Sequence, residues 1–366
     1  MLPAAAAGIA FAVDISATVK MDASLANDSG EDVEFLTIKN KDQKDSDALI
    51  FSASGEKAGG QFQVWYTYDG TEGKLNVSDV PVDENDNIVG QYLKIRKANI
   101  WVKPIDMLKI TVGDVNLDSY KEHIFWWHGV YGEKPGSWGA FGGEYLAGAG
   151  AKVELTPIEN LSIEAGIFAG TGKALFSTND DASYGAFGLK AKYGFGPGSA
   201  TVVFANKGKD ADKIIGIGGD FTGVEGLYAM ANLNFRLNNA DGFVAFTLDD
   251  YVEYSLDAFK VQVHLPFSLF KVGDDFKTGL HATVKASYAM DAFTPYLLIT
   301  NEPDGDKGWD FSADEFNFTM TFKPGVEFKV GEAAFNVGFR ADVQSKAAND
   351  YDKFNWSVPV EISLGL

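Results

Sequence analysis

Apolar side chains recur at every second position over long stretches of this chain. From Trp356 to Leu366 the residues Trp356, Val358, Val360, Ile362, Leu364 and Leu366 alternate with Ser357, Pro359, Glu361, Ser363 and Gly365. Successive strand side chains point to opposite faces, so this stretch predicts a strand with one apolar face and one polar, small-residue face. The same alternation runs from Val13 to Leu25, where Asp14, Ser16, Thr18, Lys20, Asp22 and Ser24 hold the polar face. It returns in Leu227–Leu237, Phe259–Leu269, Leu280–Tyr288, Phe318–Val330 and Phe335–Val343. Less regular candidates lie near residues 47–55, 61–69, 91–103, 107–114, 144–156, 162–170, 183–194, 199–207, 213–221, 242–255 and 294–301. About eighteen strands result, with sixteen as the alternative, at roughly 20 residues per strand and connection. No helical period of comparable length competes. The predicted class is all-β, an antiparallel up-and-down meander.

Connections alternate in length as well. Every second one is short, near Glu56–Gly60, Pro104–Met107, Pro157–Leu161, Phe195–Ser199, Thr222–Gly226, Leu256–Ala258, Met290–Phe293 and Gly331–Ala334. Two of these turns repeat, Pro104-Ile105-Asp106-Met107-Leu108 against Pro157-Ile158-Glu159-Asn160-Leu161, and Pro, Gly and Asp supply the backbone angles they need. The intervening connections are on average longer and acidic, notably 27–46, 70–90, 115–142, 302–314 and 346–353, although those near 208–212, 238–241 and 272–276 are short too. Short turns at one end and long loops at the other are a property of barrels in outer membranes.

The totals narrow the picture. The chain has 366 residues, formal net charge −20, 46% hydrophobic residues and no cysteine. No run approaches the ~18 apolar residues of a membrane helix. A mean hydropathy of −0.08 still suits barrel strands, in which only alternate residues are apolar. Without cysteine there are no disulfides or thiolate metal sites, and the acidity argues against nucleic acid as a partner. Residues 1–12 contain the apolar stretch Leu2–Ala12 ending Ala10-Phe11-Ala12, the small-x-small form of a signal-peptidase site without a basic segment before it. We take 1–12 as a signal-peptide remnant or an apolar leader, and 13–366 as one barrel.

Alternation also occurs in soluble sandwiches, with the apolar face turned inward. Strand number, polar faces rich in Gly, Ser, Thr, Asn and Lys, and aromatics at strand ends (Tyr193, Phe259, Phe270, Tyr288, Phe293, Phe335, Trp356) favour a barrel in lipid. Leu93–Asp114, with a basic strand, a short turn and a strand containing Val112-Gly113, and Gly139-Ala140-Phe141-Gly142-Gly143-Glu144 closing the connection 115–142, resemble segments of Gram-negative outer-membrane porins. The terminal strand resembles the porin assembly signal, ending in Leu366 where Phe is usual. The resemblance implies a transmembrane β-barrel in the bacterial outer membrane, in contact with lipid. It implies that 115–142 is a constriction loop and that small polar solutes and ions pass, in a single chain or a homotrimer.

A barrel this wide is not filled by its own side chains, so its inward face decides what it does. The polar faces predict pore-lining Lys94, Arg96, Lys109, Lys152, Glu154, Glu164, Lys190, Lys192, Arg236, Lys260, His264, His281, Lys285 and Arg340. Lys20, Lys323, Lys329, Asp14, Asp22, Glu327, Asp342 and Glu361 share those faces. This makes a basic wall in an acidic protein and points to anions or polar neutral solutes. Lys97 and Lys103 oppose Lys94 and Arg96 in parity, which leaves the facing of strand 91–103 open. In the connection 115–142, Asp118, Glu122, Trp126, Trp127, Glu133 and Trp138 form a constriction or anchor the loop to the wall. No cofactor, metal site or enzymatic activity is expected. His264 and His281 lack a third metal ligand, and the acidic run at Asp83 has Ile88 where a calcium loop needs Gly. A surface adhesin or structural barrel acting through its acidic loops is the alternative function, and a soluble carbohydrate-binding β protein a third.

Overall fold

The computed structural model describes residues 12–28, 33–39, 48–65, 94–118, 144–168, 186–206, 213–238, 243–265, 267–272, 275–280, 282–303, 318–344 and 354–365. They contain twenty-two strand segments. The first eight are β1 (Ala12–Asp28), β2 (Val33–Lys39), β3 (Ala48–Ser54), β4 (Ala58–Trp65), β5 (Lys94–Ile105), β6 (Leu108–Asp118), β7 (Glu144–Ile158) and β8 (Leu161–Phe168). Next come β9 (Ala186–Gly194), β10 (Gly198–Asn206), β11 (Lys213–Phe221), β12 (Leu227–Asn238), β13 (Phe243–Leu256), β14 (Phe259–His264) and β15 (Phe267–Val272). The last are β16 (Asp275–Leu280), β17 (Thr283–Tyr288), β18 (Phe293–Pro303), β19 (Phe318–Val330), β20 (Ala333–Gly338), β21 (Arg340–Gln344) and β22 (Phe354–Gly365).

Pairing is antiparallel throughout, and the last strand meets the first: Val19 faces Leu364, Met21 faces Ile362 and Ala23 faces Val360. The sheet is therefore closed and has no free edge, which is the condition for crossing a bilayer with strands. Four pairs of segments each make one interrupted stave. β2 and β3 lie along successive halves of β1, β14 and β15 along β13, β17 and β16 along β14 and β15, and β20 and β21 between β19 and β22. Eighteen staves result, the number predicted from the periodicity.

The two faces separate as the alternation requires. Along β10 burial itself alternates, with Ser199, Thr201 and Val203 buried and Ala200 and Val202 exposed. Ile100 (68% exposed), Leu189, Val202, Ile217, Phe235 and Leu297 look outward, whereas Asn232, Asn234, Thr283, Thr300 and Thr321 are buried on the inward side. The sandwich alternative falls here, because the alternating apolar residues of most staves are exposed on the outer face instead of meeting one another in a dry interior. A continuous apolar exterior of this extent calls for lipid. Aromatic pairs mark it at two levels. Phe293, Phe328 and Phe335 lie near the short turns, the last two stacked with centroids 5.1 Å apart, while Phe187–Phe204, Phe235–Phe246 and Phe339–Trp356 lie further along the staves. Tyr254 and Phe246 sit eight positions apart on β13, which at about 3.3 Å per residue and a tilt near 40° is about 20 Å along the barrel axis.

The short turns gather at one end, and the repeated ones are two-residue hairpins. Asn160 (φ 65°) takes the left-handed conformation that Asn tolerates better than most side chains, which explains the Glu159-Asn160 turn. Neighbouring turns are tied, Thr156 N–H donating to the Met107 carbonyl (2.9 Å) and Lys103 N–H to that of Lys57 (2.7 Å).

Several boundaries differ from the predicted ones. Ala12, placed in the leader, opens β1 opposite Ser54. The connection at 27–46 contains β2, whose Val33–Lys39 extends the pairing of β1. Val115–Asp118 continues β6 in register with β7, so the third long connection covers 119–143 instead of 115–142. Phe259–Leu269, Leu280–Tyr288 and Phe335–Val343 are each interrupted, at Leu265, Ala282 and Phe339 among the described residues. Alternation of side chains survives such breaks and does not report them.

Candidate functional site

The inward wall is built from cross-strand neighbours. Directly opposed residues of an antiparallel pair share a face, so an inward lysine on one stave meets whatever its register partner carries. Lys109 is opposite Glu154, with Nζ 2.9 Å from the carboxylate, and Glu164 is opposite Lys190 at 3.2 Å. Lys152 lies between two acids, 3.7 Å from Glu154 and 3.1 Å from Glu164. A ladder Lys109–Glu154–Lys152–Glu164–Lys190 thus crosses β6 to β9. Lys192 joins this face opposite Ser162 and the buried Thr201. Trp101 stands beside the ladder, with Lys103 and Lys109 ammonium groups 5.5 and 5.7 Å from its ring centroid.

On the far side of the lumen Lys260 pairs with Glu253 (2.9 Å) and Lys285 with Glu327 (2.6 Å). The Glu253 carboxylate also accepts from the Tyr251 hydroxyl (2.8 Å) and the Gln262 amide (3.0 Å). Tyr296 lies flat against the wall where Gly325 has no side chain, since a Cβ there would stand 2.5 Å from its ring. Its hydroxyl donates to Asn336 (2.7 Å), and the Lys285 ammonium sits 4.7 Å above the ring. These groups border a cavity of about 830 Å³.

Deeper along the same staves, His264 Nε2 is 2.7 Å from Asp249 Oδ1, both buried. In register with His264 come Thr283, Thr300, Thr321 and Asp342, one per stave. Thr283 and Thr300 share a hydrogen bond (2.8 Å), Thr321 donates to Asp342 (2.5 Å), and Arg340 Nε reaches both oxygens of Asp342 (2.9 and 2.8 Å). This polar row follows the interruptions of the staves. On the opposite face Leu265 N–H donates to Asp250 (2.8 Å) and Ala282 N–H to Asn301, so side chains take over where the backbone ladder is broken.

The wall is less basic than the residue count suggested. Asp220, Asp249 and Glu253, absent from that count, lie on the inward face in register with Ser199, beside His264 and in register with Gln262. Each described lysine of the β6–β9 ladder and of the Lys260 and Lys285 pairs faces a carboxylate. The inner face is not uniformly polar either: Val115, Leu117, Leu146, Phe168, Val203, Ala205 and Ile214 form a buried apolar cluster on β6 to β11. On β5 the register shifts between Gln63 and Val64 and skips Arg96, pairing Lys97 with Gln63, Ile95 with Val64 and Lys94 with Trp65. Arg236 is in register with Ile214 of β11. Asp118 ends β6 opposite Glu144. His281, Glu122, Trp126, Trp127, Glu133 and Trp138 lie outside the described residues.

No family model matches this chain, and no curated protein does. Solved structures do. OccK9 (OpdG) of Pseudomonas aeruginosa aligns with a TM-score of 0.59 at 9% identity, over 97% of this chain and 98% of that one. OpdK of the same organism, solved with vanillate, gives 0.57 at 9% over 97% and 98%. A BenF-like porin from Pseudomonas fluorescens Pf-5 gives 0.58 at 12%, over 98% of this chain and all of that one, 100%. The fold is that of the outer-membrane porins. At such identities the likeness concerns the fold alone.

Proposed function

We propose that this chain is a passive diffusion porin of a bacterial outer membrane, admitting small polar solutes and ions. The observation that carries the reading is an eighteen-stave closed sheet with an apolar exterior and charged, hydrogen-bonded side chains inside. A barrel of that circumference leaves an aqueous path unless loops fill it. Short turns then face the periplasm and long connections the exterior. The connection 119–143, with Glu122, Trp126, Trp127, Glu133 and Trp138, is proposed as the constriction. Because the inward lysines are paired with carboxylates, we expect weak ion selectivity instead of the strong anion preference of a basic wall.

Purified protein reconstituted in planar bilayers tests this. Stepwise ohmic conductance is expected, with a reversal potential in a KCl gradient near zero. Insertion without conductance would defeat the channel reading and favour a structural or adhesive barrel.

A further inference from the structure

The cavity between β13 and β22 holds opposite charges in equal number. Its lining carries four lysines and four carboxylates. Two of the resulting ion pairs are fixed by further contacts. Glu253 is held at once by Lys260, Tyr251 and Gln262. Lys285 is held between Glu327 and the face of Tyr296. Such charges do not need to reorganise when a solute arrives, which is what makes a polar site selective.

We propose that this cavity is a transit subsite for small zwitterionic solutes, those carrying an ammonium and a carboxylate a few ångströms apart; the proposal rests on the channel reading above. A lone anion approaching Lys285 meets Glu327 beside it, and a lone cation approaching Glu253 meets Lys260. Each must displace a partner and leaves one charge uncompensated. A zwitterion lies antiparallel to an ion pair, its carboxylate on the lysine and its ammonium on the glutamate, so all four charges remain paired by charge-assisted hydrogen bonds. A neutral solute forms only the weaker uncharged contacts. With no net formal charge on the lining, neither ion is concentrated there, and the discrimination comes from the arrangement of charge alone.

Four solutes of nearly equal size separate these cases: alanine (zwitterion), lactamide (neutral), lactate (anion) and alaninamide (cation). Radiolabelled efflux from proteoliposomes containing the whole chain is expected to be fastest for alanine, about threefold above lactamide, with saturation that lactamide does not show. Lys285→Met and, separately, Glu327→Gln are expected to bring the alanine-to-lactamide ratio to about one. Passage of lactamide with alanine no faster overturns the subsite while leaving the channel intact. So does faster passage of lactate or alaninamide than of alanine, or a wild-type ratio in both variants. Retention of lactamide itself defeats the channel reading, and the subsite with it.

Discussion

The wall from β6 to β11 and the wall from β13 to β21 solve the same problem differently. The first is made of uninterrupted staves; its inward face combines an exposed-to-lumen ladder of ion pairs with a buried apolar cluster. The second is broken at Leu265, Ala282 and Phe339, and its inward face carries the row of buried Asp249, His264, Thr283, Thr300 and Thr321 with half-buried Asp342. Where backbone hydrogen bonds run on without a gap, side chains are free to be apolar. Where a stave is interrupted, amides and carbonyls leave the ladder and polar side chains gather to replace it. The difference teaches that polar side chains have two uses in this barrel: on the inward face they bond to one another, and at Asp250 and Asn301 on the opposite face they take backbone N–H groups that a broken stave releases.

Removing one member of the buried pair breaks that contrast most severely. His264→Leu removes the 2.7 Å contact between two buried polar side chains, and we expect a loss of about 3 kcal/mol in urea unfolding followed in detergent. Lys190→Met in the intact wall is expected to lose under about 1 kcal/mol, because Glu164 keeps Lys152. Equal losses in the two variants would erase the distinction between the walls. Lys190→Met sharpens the comparison in another way: it takes the ladder from three lysines against two carboxylates to two against two, and with one positive charge fewer its reversal potential in a KCl gradient is expected to move toward cation preference. Gly325→Ala tests the second wall near the turns. The new methyl group stands where the end of the Tyr296 ring lies, so the ring swings away at a cost of about 1 kcal/mol, and single-channel conductance changes.

The smallest effect belongs to the turns, which both walls share. Lys57 and Asp106 are exposed and hydrogen-bonded to each other, which raises the lysine pKa and lowers that of the aspartate. The aspartate's contribution is present above its unfolded pKa and lost as pH falls through the folded value. The lysine's is present below its unfolded pKa and lost as pH rises through its folded value. The contact is therefore complete at neutral pH and fades at both extremes. An NMR titration is expected to place the Asp106 carboxyl below the ordinary range, returning toward it in Lys57→Met.

Much of this architecture was legible in the sequence. Val13–Leu25 and Trp356–Leu366 announced strands long enough to span, and they proved to be the pair that closes the sheet. The stave count followed from spacing, because a period of two is fixed by backbone geometry. Charge on the wall was not legible to the same degree. Lys109 and Lys152 were read as inward-facing from alternation, but their pairing with Glu154 and Glu164 depends on register, which alternation within one strand leaves undetermined. Asp249 was missed because it is followed by Asp250. Two adjacent carboxylates in mid-strand put one on each face, and that doublet was itself the available signal of an interruption. The breaks at Leu265 and Ala282 hid for a related reason: each stave resumes with its faces unchanged.

Pairing of β1 with β22 has a consequence for assembly. The ring seals only when segments more than three hundred residues apart in the chain find each other, so no portion of the barrel is finished before all of it is. Until that contact forms, the growing curtain of strands needs a guardian against joining a stranger.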